Sequence, residues 1–326
     1  MRLKRILMGT ALLTAGSVCA QPASTGSGQA YPAKPIRILV GFAAGGPSDV
    51  GARTVGQKLT EKWGQPVIVD FRPGAAGNIA TEMAAKAPAD GYTLIAAAFA
   101  HAVNPSLYSK LPFDAAKDFT PVLMFASIAN LLAVHPSIPA RSVKELIAFA
   151  KTRPDQLTIG SAGSGTSSHL SGELLKMMAG IKMTHVPYKG LAPAHVDTIG
   201  GQLSMLFDGI VTGVPAAKSG RLRALGVTTV KRWQGAPDIP SIAEALPGFE
   251  VNSWYGLLAP VGTPREIVAR LNTEVANGLR EPDARARLYS IGAEPMSNTP
   301  EEFGAFIQSE MVKWAKVVKV AGIKVE

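Results

Sequence analysis

The chain has 326 residues, 47% hydrophobic and 17% charged, a balance that excludes an intrinsically disordered protein and suits a large buried core. Its formal charge is +9, yet no run of Lys and Arg concentrates that charge and only 6% of residues are aromatic, which excludes an ordinary nucleic-acid-binding surface. The single cysteine, Cys19, lies so early that the body of the protein relies on neither disulfide nor thiolate chemistry.

The N-terminus comes first in chain order. Arg2, Lys4 and Arg5 precede the apolar run ILMGTALLTAGSV, too short to span a bilayer comfortably, and Val18-Cys19-Ala20 ends on the small residue that a signal peptidase prefers. Residues 1–20 therefore read as a cleaved secretory signal and the destination as the periplasm. Lipidation at Cys19 is disfavoured by the bulky Val18 before it. Residues 21–30, rich in Ser, Gly and Ala, read as a disordered lead-in. Three positive charges leave with the signal, so nine less three, or +6, remain to favour the arrival of anionic small molecules.

From Ile36 onward short apolar runs alternate with helical spacing. IRILVGF (Ile36–Phe42) predicts a strand, Ser48–Trp63 a helix, VIVD (Val67–Asp70) a strand, Ile79–Lys86 a helix and Thr93–Ala97 a strand. Strands alternating with helices imply a parallel sheet covered on both faces. Two passages, Val122–Val134 and Phe249–Ala259, are too long and apolar for ordinary exposed strands. They suggest a chain that crosses to a second lobe and later returns. Between them the pattern predicts helices at Val143–Thr152, His169–Met178, Ala192–Gly200 and Gly213–Ser219, alternating with strands at Leu157–Gly160, Met183–Pro187, Ser204–Asp208 and Ala224–Thr228. Three helical stretches follow the return: Pro264–Gly278, Asp283–Ile291 and Pro300–Val320. The expected division is residues 31–127 plus 254–326 for one lobe and 128–253 for the other.

Two passages stand apart: VGFAAGGPSDV (Val40–Val50) and IGSAGSGTSSHL (Ile159–Leu170). In each, a strand runs into small residues and then opens a helix. The first N–H groups of a helix lack internal partners, and the aligned peptide dipoles add positive charge there. Glycine lets an anion approach those groups, and the hydroxyls of Ser161, Ser164, Thr166, Ser167 and Ser168 offer more donors. In open α/β sheets such turns lie beyond the carboxyl ends of strands, where ligands bind.

Other chemistries find little support. Gly163-Ser164-Gly165 is followed by Thr166-Ser167-Ser168, which fails the dinucleotide fingerprint, and no Walker lysine or GxSxG serine is present. His169 and Glu173 are one helical turn apart, but two further metal ligands are not offered nearby. No cofactor is implied. Asp49 suits a helix start whatever its function. Asp208 closes a strand, where it could accept a hydrogen bond from a ligand or from water. Tyr188 is a better candidate ligand contact than the neighbouring loop residue Lys189.

These segments closely resemble the Bug-type extracytoplasmic receptors, the solute-binding proteins of tripartite tricarboxylate transporters. YPAKPIRILVGFAAGGPSDVGAR, VIVDFRPGAAGNIAT, HAVNPSLYSKLPFDAAKDFTPV, GSAGSGTSSHLSGELLK, THVPYKG, LFDG, APDIPSIAEALPGFE and SWYGLLAPVGTP follow in the family's order, from Tyr31 almost to the C-terminus. The resemblance implies an α/β type II periplasmic-binding fold, two lobes joined by crossing strands with a ligand cleft between them. It implies that Phe42, Ala43, Gly45, Gly46 and Asp49 face Ser161, Gly163, Gly165, Thr166, Ser168 and His169 across that cleft. Tyr188 and Asp208 would line the side where ligands vary. A carboxylate would be held by main-chain donors and ordered water rather than by an arginine clamp.

The expected protein is a non-enzymatic, monomeric receptor that delivers a small carboxylate, an organic acid or amino acid, to membrane permease subunits. A receptor docking on a sensor kinase is the alternative, and a secreted hydrolase or lyase using His169 and Asp49 a further one. The sequence departs from the family's pattern at Phe71, where Asn is usual, at Ala76 and Ala80, where Gly is common, and at Ala44, where Pro is frequent. Phe71 near the cleft would favour a less polar ligand; packed within its lobe it would not matter.

Overall fold

A computed structural model describes residues 31–323, so the predicted signal and lead-in lie outside the described residues. Strand β1 (Ile36–Val40) is buried at every position except Arg37, as expected of a strand covered on both faces. Helix α1 (Pro47–Trp63) starts where Gly46 holds an extended backbone and Pro47 presets the first turn, with Asp49 against its positive end. Strand β2 (Val67–Phe71), helix α2 (Asn78–Ala85), strand β3 (Thr93–Ala98), helix α3 (Ala100–Leu107) and the 16-residue strand β4 (Phe119–Val134) follow. Then come α4 (Val143–Lys151), β5 (Thr158–Ser161), α5 (Ser167–Ala179), β6 (Thr184–Pro187), α6 (Leu191–Ile199), β7 (Met205–Gly209), α7 (Ile210–Lys218) and β8 (Arg223–Val227). The chain closes with β9 (Asn252–Pro260), α8 (Arg265–Gly278), α9 (Pro282–Tyr289), β10 (Ala293–Pro295) and α10 (Pro300–Ala321).

The strands run in the order β2-β1-β3-β9-β4-β7-β5-β6, with β8 and β10 also paired to β4. The long strand is what joins the two ends of this sheet. From Phe119 to Ala129 it pairs antiparallel with β9, and from Asn130 to Val134 it pairs antiparallel with β7 and β8. On the outer flanks β1, β2 and β3 are parallel, as are β5, β6 and β7. The parallel pairing expected where strands alternate with helices holds in both flanks. Strands β4 and β9 carry the chain across and back, so they run against their neighbours.

Most sequence-predicted elements appear within a few residues of their expected limits. Helix α3 and the short β10 were not anticipated. Pro105 inside α3 removes a backbone donor and marks the segment as a poor helix former. Tertiary packing supplies what propensity withholds. The Phe99 ring meets Trp314 of α10 edge-on, with centroids 5.1 Å apart, and Trp254 of β9 meets Phe303 of α10 likewise at 5.7 Å. Both tryptophans are fully buried. Helix α10 itself is set by a capping box between Thr299 and Glu302. The C-terminal helix therefore fixes α3, and α3 forms part of the wall described next.

Candidate ligand-binding site

A cavity of about 540 Å³ opens beyond the carboxyl ends of β1, β3 and β5, within the size range of small-molecule sites. Four helices begin on its lining: α1 at Gly46, Pro47 and Ser48, α3 at Phe99 and Ala100, α5 at Thr166, Ser167 and Ser168, and α6 at Gly190 and Leu191. Among the described residues, the backbone N–H groups of Gly46, Ser48, Ser164, Ser167 and Ser168 meet no protein acceptor. They are the donors that an anion would complete. Among the described residues no Asp, Glu, Lys, Arg or His lines the cavity. Its walls are largely apolar, with Phe42, Ala98, Leu107, Leu191 and the rings of Tyr108 and Tyr255. Burial raises the Tyr255 pKa, so its phenol stays neutral at physiological pH.

The second turn is held in shape by its own side chains. Thr166 caps α5 and donates its hydroxyl to the Gly163 carbonyl at 2.6 Å. Ser168 Oγ accepts the Ala162 N–H at 3.0 Å, and Ser161 Oγ accepts that of Gly163 at 3.1 Å. His169, buried behind the turn, accepts the Gly165 N–H on Nδ1 at 3.1 Å, which leaves that nitrogen without a proton. Its ring stacks on His185 with centroids 3.8 Å apart. His185 Nε2 lies 2.6 Å from Ser161 Oγ, and burial lowers the His185 pKa to about 4. Ser167 ties the helix start to the crossing strands, bonding Ser253 of β9 and accepting from Asn130 of β4.

Gly165 has φ of 78°, and a Cβ there would stand 2.5 Å from Leu107 Cδ1 on α3. Only glycine accepts both the backbone angle and the close neighbour. Opposite, Ala75 and Ala76 also adopt left-handed φ values, 46° and 53°, without being glycine. The Ala76 carbonyl is gripped by Asn104 Nδ2 at 3.2 Å, and that amide also donates to Asn78 Oδ1 at 2.7 Å. Such strain persists only where surrounding contacts impose it.

The predicted site residues divide into two groups. Phe42, Gly46, Gly165, Thr166 and Ser168 line the cavity. The others lie off its lining. Ala43 and Gly45 sit on the exposed part of the first turn. Asp49 is buried and accepts the Gly45 N–H at 2.7 Å and the Arg53 guanidinium. Ser161, Gly163 and His169 form the bracing behind the second turn. Tyr188 donates its hydroxyl to Asp197 at 2.6 Å. Asp208 is fully buried, bonded to His195 at 2.6 Å, to Thr212 and to the Gly209 N–H. Burial pushes its pKa up, and the His195 contact opposes that only in part.

Phe71 lies off the lining with the Arg53 guanidinium 5.3 Å over its ring, so of the two sequence readings the packed one fits the geometry. Sequence reasoning missed Ser48, Asn104, Leu107, Tyr108, Leu191 and Tyr255. The segment HAVNPSLY carried the signal for three of them, since a conspicuous motif outside any predicted element needs a job.

Fold and cavity together define a solute-binding protein of the periplasmic kind, with mixed α/β layers around a cleft at strand ends. A Rhodopseudomonas palustris protein solved with adipate is 42% identical, covers 90% of this chain and 100% of its own, and superposes with a TM-score of 0.76. MatC from the same species, solved with bound malate, is 34% identical over 88% of this chain and 100% of its own, with a TM-score of 0.72. Protein BugT of Bordetella pertussis is 33% identical over 329 residues, the full length of both chains. Residues 51–323 match the model of the tripartite tricarboxylate transporter family receptor, and the chain belongs to that family.

Proposed function

We propose that the protein is a periplasmic receptor that captures a small carboxylate and hands it to the membrane permease subunits of its transporter. The observation that carries this reading is the cavity itself, ringed by four helix starts with N–H groups that meet no acceptor, and lined by no charged side chain, among the described residues. The related proteins solved with adipate and with malate support it. Hydrogen bonds to a charged group contribute about 1.5–3 kcal/mol each. Several of them, offset by ordering, give micromolar affinity, about −8 kcal/mol. Water bridges between amide and carboxylate cost at most about 2 kcal/mol apiece.

Closure supplies the signal for delivery. The strand pairing changes partner between Ala129 and Asn130 of β4, and we place the hinge there and in β9. A ligand that touches α1 and α3 on one side and α5 and α6 on the other stabilises the shut form, which the permease reads. The receptor is taken to act as a monomer, and turnover is not expected of it, because the ionisable groups near the site, Asp49 and His169, are engaged behind its walls. Residues 1–20 direct export. Among the described residues no helix is long and apolar enough to cross a membrane.

Thermal unfolding with millimolar adipate or malate tests the reading. A ligand at a hundred times its Kd adds about 2.7 kcal/mol, an upward shift of roughly 5 °C. Acids that leave the midpoint unmoved, or that are consumed during incubation, would overturn the receptor assignment.

A further inference from the structure

The same cavity discriminates among carboxylates, and this step rests on the carboxylate reading above. We infer that the ligand is a mono- or dicarboxylate with an apolar, unhydroxylated body, and that a tricarboxylate is refused. Three observations lead there.

The first is a charge count. Among the described residues no cationic side chain lines the cavity, so the positive potential they supply comes from helix starts. Each contributes about half an elementary charge, and four give about +2. Two carboxylates match that potential. A third, inside walls with no counter-ion, would be desolvated without compensation.

The second is the state of the hydroxyls. The second turn is rich in them, yet those of Thr166, Ser167 and Ser168 are already engaged with Gly163, Ser253 and Thr166. Both N–H groups of the Asn104 amide are directed at protein oxygens. Of the hydroxyls that line the cavity, those of Ser48, Ser164 and Tyr108 have no partner among the described residues; the two serines belong to the two turns, beside the amides that receive a carboxylate. The two serines do not serve a hydroxyl placed mid-ligand, which leaves the Tyr108 phenol and the Asn104 carbonyl oxygen as its few partners.

The third is what lies between the amide clusters. Phe42, Ala98, Leu107, Leu191 and the faces of Tyr108 and Tyr255 offer contact to methylenes or a ring and few partners to a polar substituent. An apolar body buried there gains about 25 cal/mol per Å². A hydroxyl buried there loses its water and gains little in return.

Calorimetric titration of the purified protein with matched acids tests the inference. Succinate and malate differ by one hydroxyl; adipate and tricarballylate isolate the third carboxylate; adipamide is the uncharged control. Adipate should bind at least tenfold more tightly than tricarballylate or citrate. Succinate should outbind malate by roughly ten- to a hundredfold, the range in which apolar pockets reject an added hydroxyl. Citrate or malate binding as tightly as its plainer counterpart would overturn this inference and leave the carboxylate reading intact. Adipamide matching adipate would instead overturn the carboxylate reading, and absence of heat with every acid would overturn both.

Discussion

The two glycine-rich turns look alike in sequence but are built differently. The first, at the start of α1, is exposed from Ala43 to Gly45 and rests on one side chain, Asp49, which bonds the Gly45 N–H and is itself paired with Arg53. The second, at the start of α5, is backed by Ser161, Thr166, Ser168, His169 and His185, and its Gly165 packs on Leu107. One turn is a loop with a single brace; the other is half-buried and braced from behind by several side chains. Damage should therefore have different consequences in each: steric at the second, electrostatic at the first.

The largest expected effect is at Gly165. Gly165→Val meets Leu107 and forces a branched residue into left-handed backbone, costs of about 1–3 kcal/mol for overpacking and about 1–2 kcal/mol for the angle. Binding by titration should fall by a hundredfold or more. Gly45→Val provides the contrast. Gly45 has φ of 89°, but a Cβ there meets nothing within 4 Å, so only the backbone cost applies. A Gly45 variant as damaged as its counterpart would mean the first turn is more constrained than its surroundings imply.

Acid should act on the second turn before the first. His185 behind it has a pKa lowered to about 4 by burial, and so does His101 within α3, the helix whose Leu107 packs on Gly165. A histidine whose folded pKa is depressed is neutral in the native state and takes up a proton on unfolding. The stability it lends is complete above about pH 6.5 and is lost as pH falls toward 4. For His101, 6% exposed, the span amounts to roughly 3 kcal/mol; His185 is more open and contributes less. Hydrogen exchange, corrected for intrinsic rates, should rise between pH 6.5 and 4.5 at residues 161–169 and less at 42–50. Replacing His101 with Leu should flatten the pH dependence of the melting point. Equal acid sensitivity in both turns would contradict the assignment.

The alternation of apolar runs and helix starts made the layers and both turns legible, because period and small-residue clusters are local properties. Helix α3 was not legible: Pro105 argues against it, and its support comes from Trp314, some two hundred residues away. Asp208 shows the same limit. As the last polar residue of a strand it reads as facing ligand, and only the fold reveals His195 and Thr212 already filling its bonding capacity. Ala76 was visible as a departure from glycine, but its strained backbone and the grip of Asn104 are tertiary facts.

The smallest effects separate the parts of the first brace. Arg53 is more than half exposed, and a solvent-facing ion pair contributes about 0–1 kcal/mol. Arg53→Gln should therefore change melting and affinity little. Asp49→Ala removes the acceptor for the Gly45 N–H and the acidic residue at the positive helix end, for a loss of about 1–2 kcal/mol. In the double variant the two losses should combine to the Asp49 value, since the arginine acts on the turn only through that carboxylate. If Arg53→Gln alone weakens adipate binding as much as Asp49→Ala, the guanidinium reaches the ligand on closure, and the first turn carries a cation that the second does not.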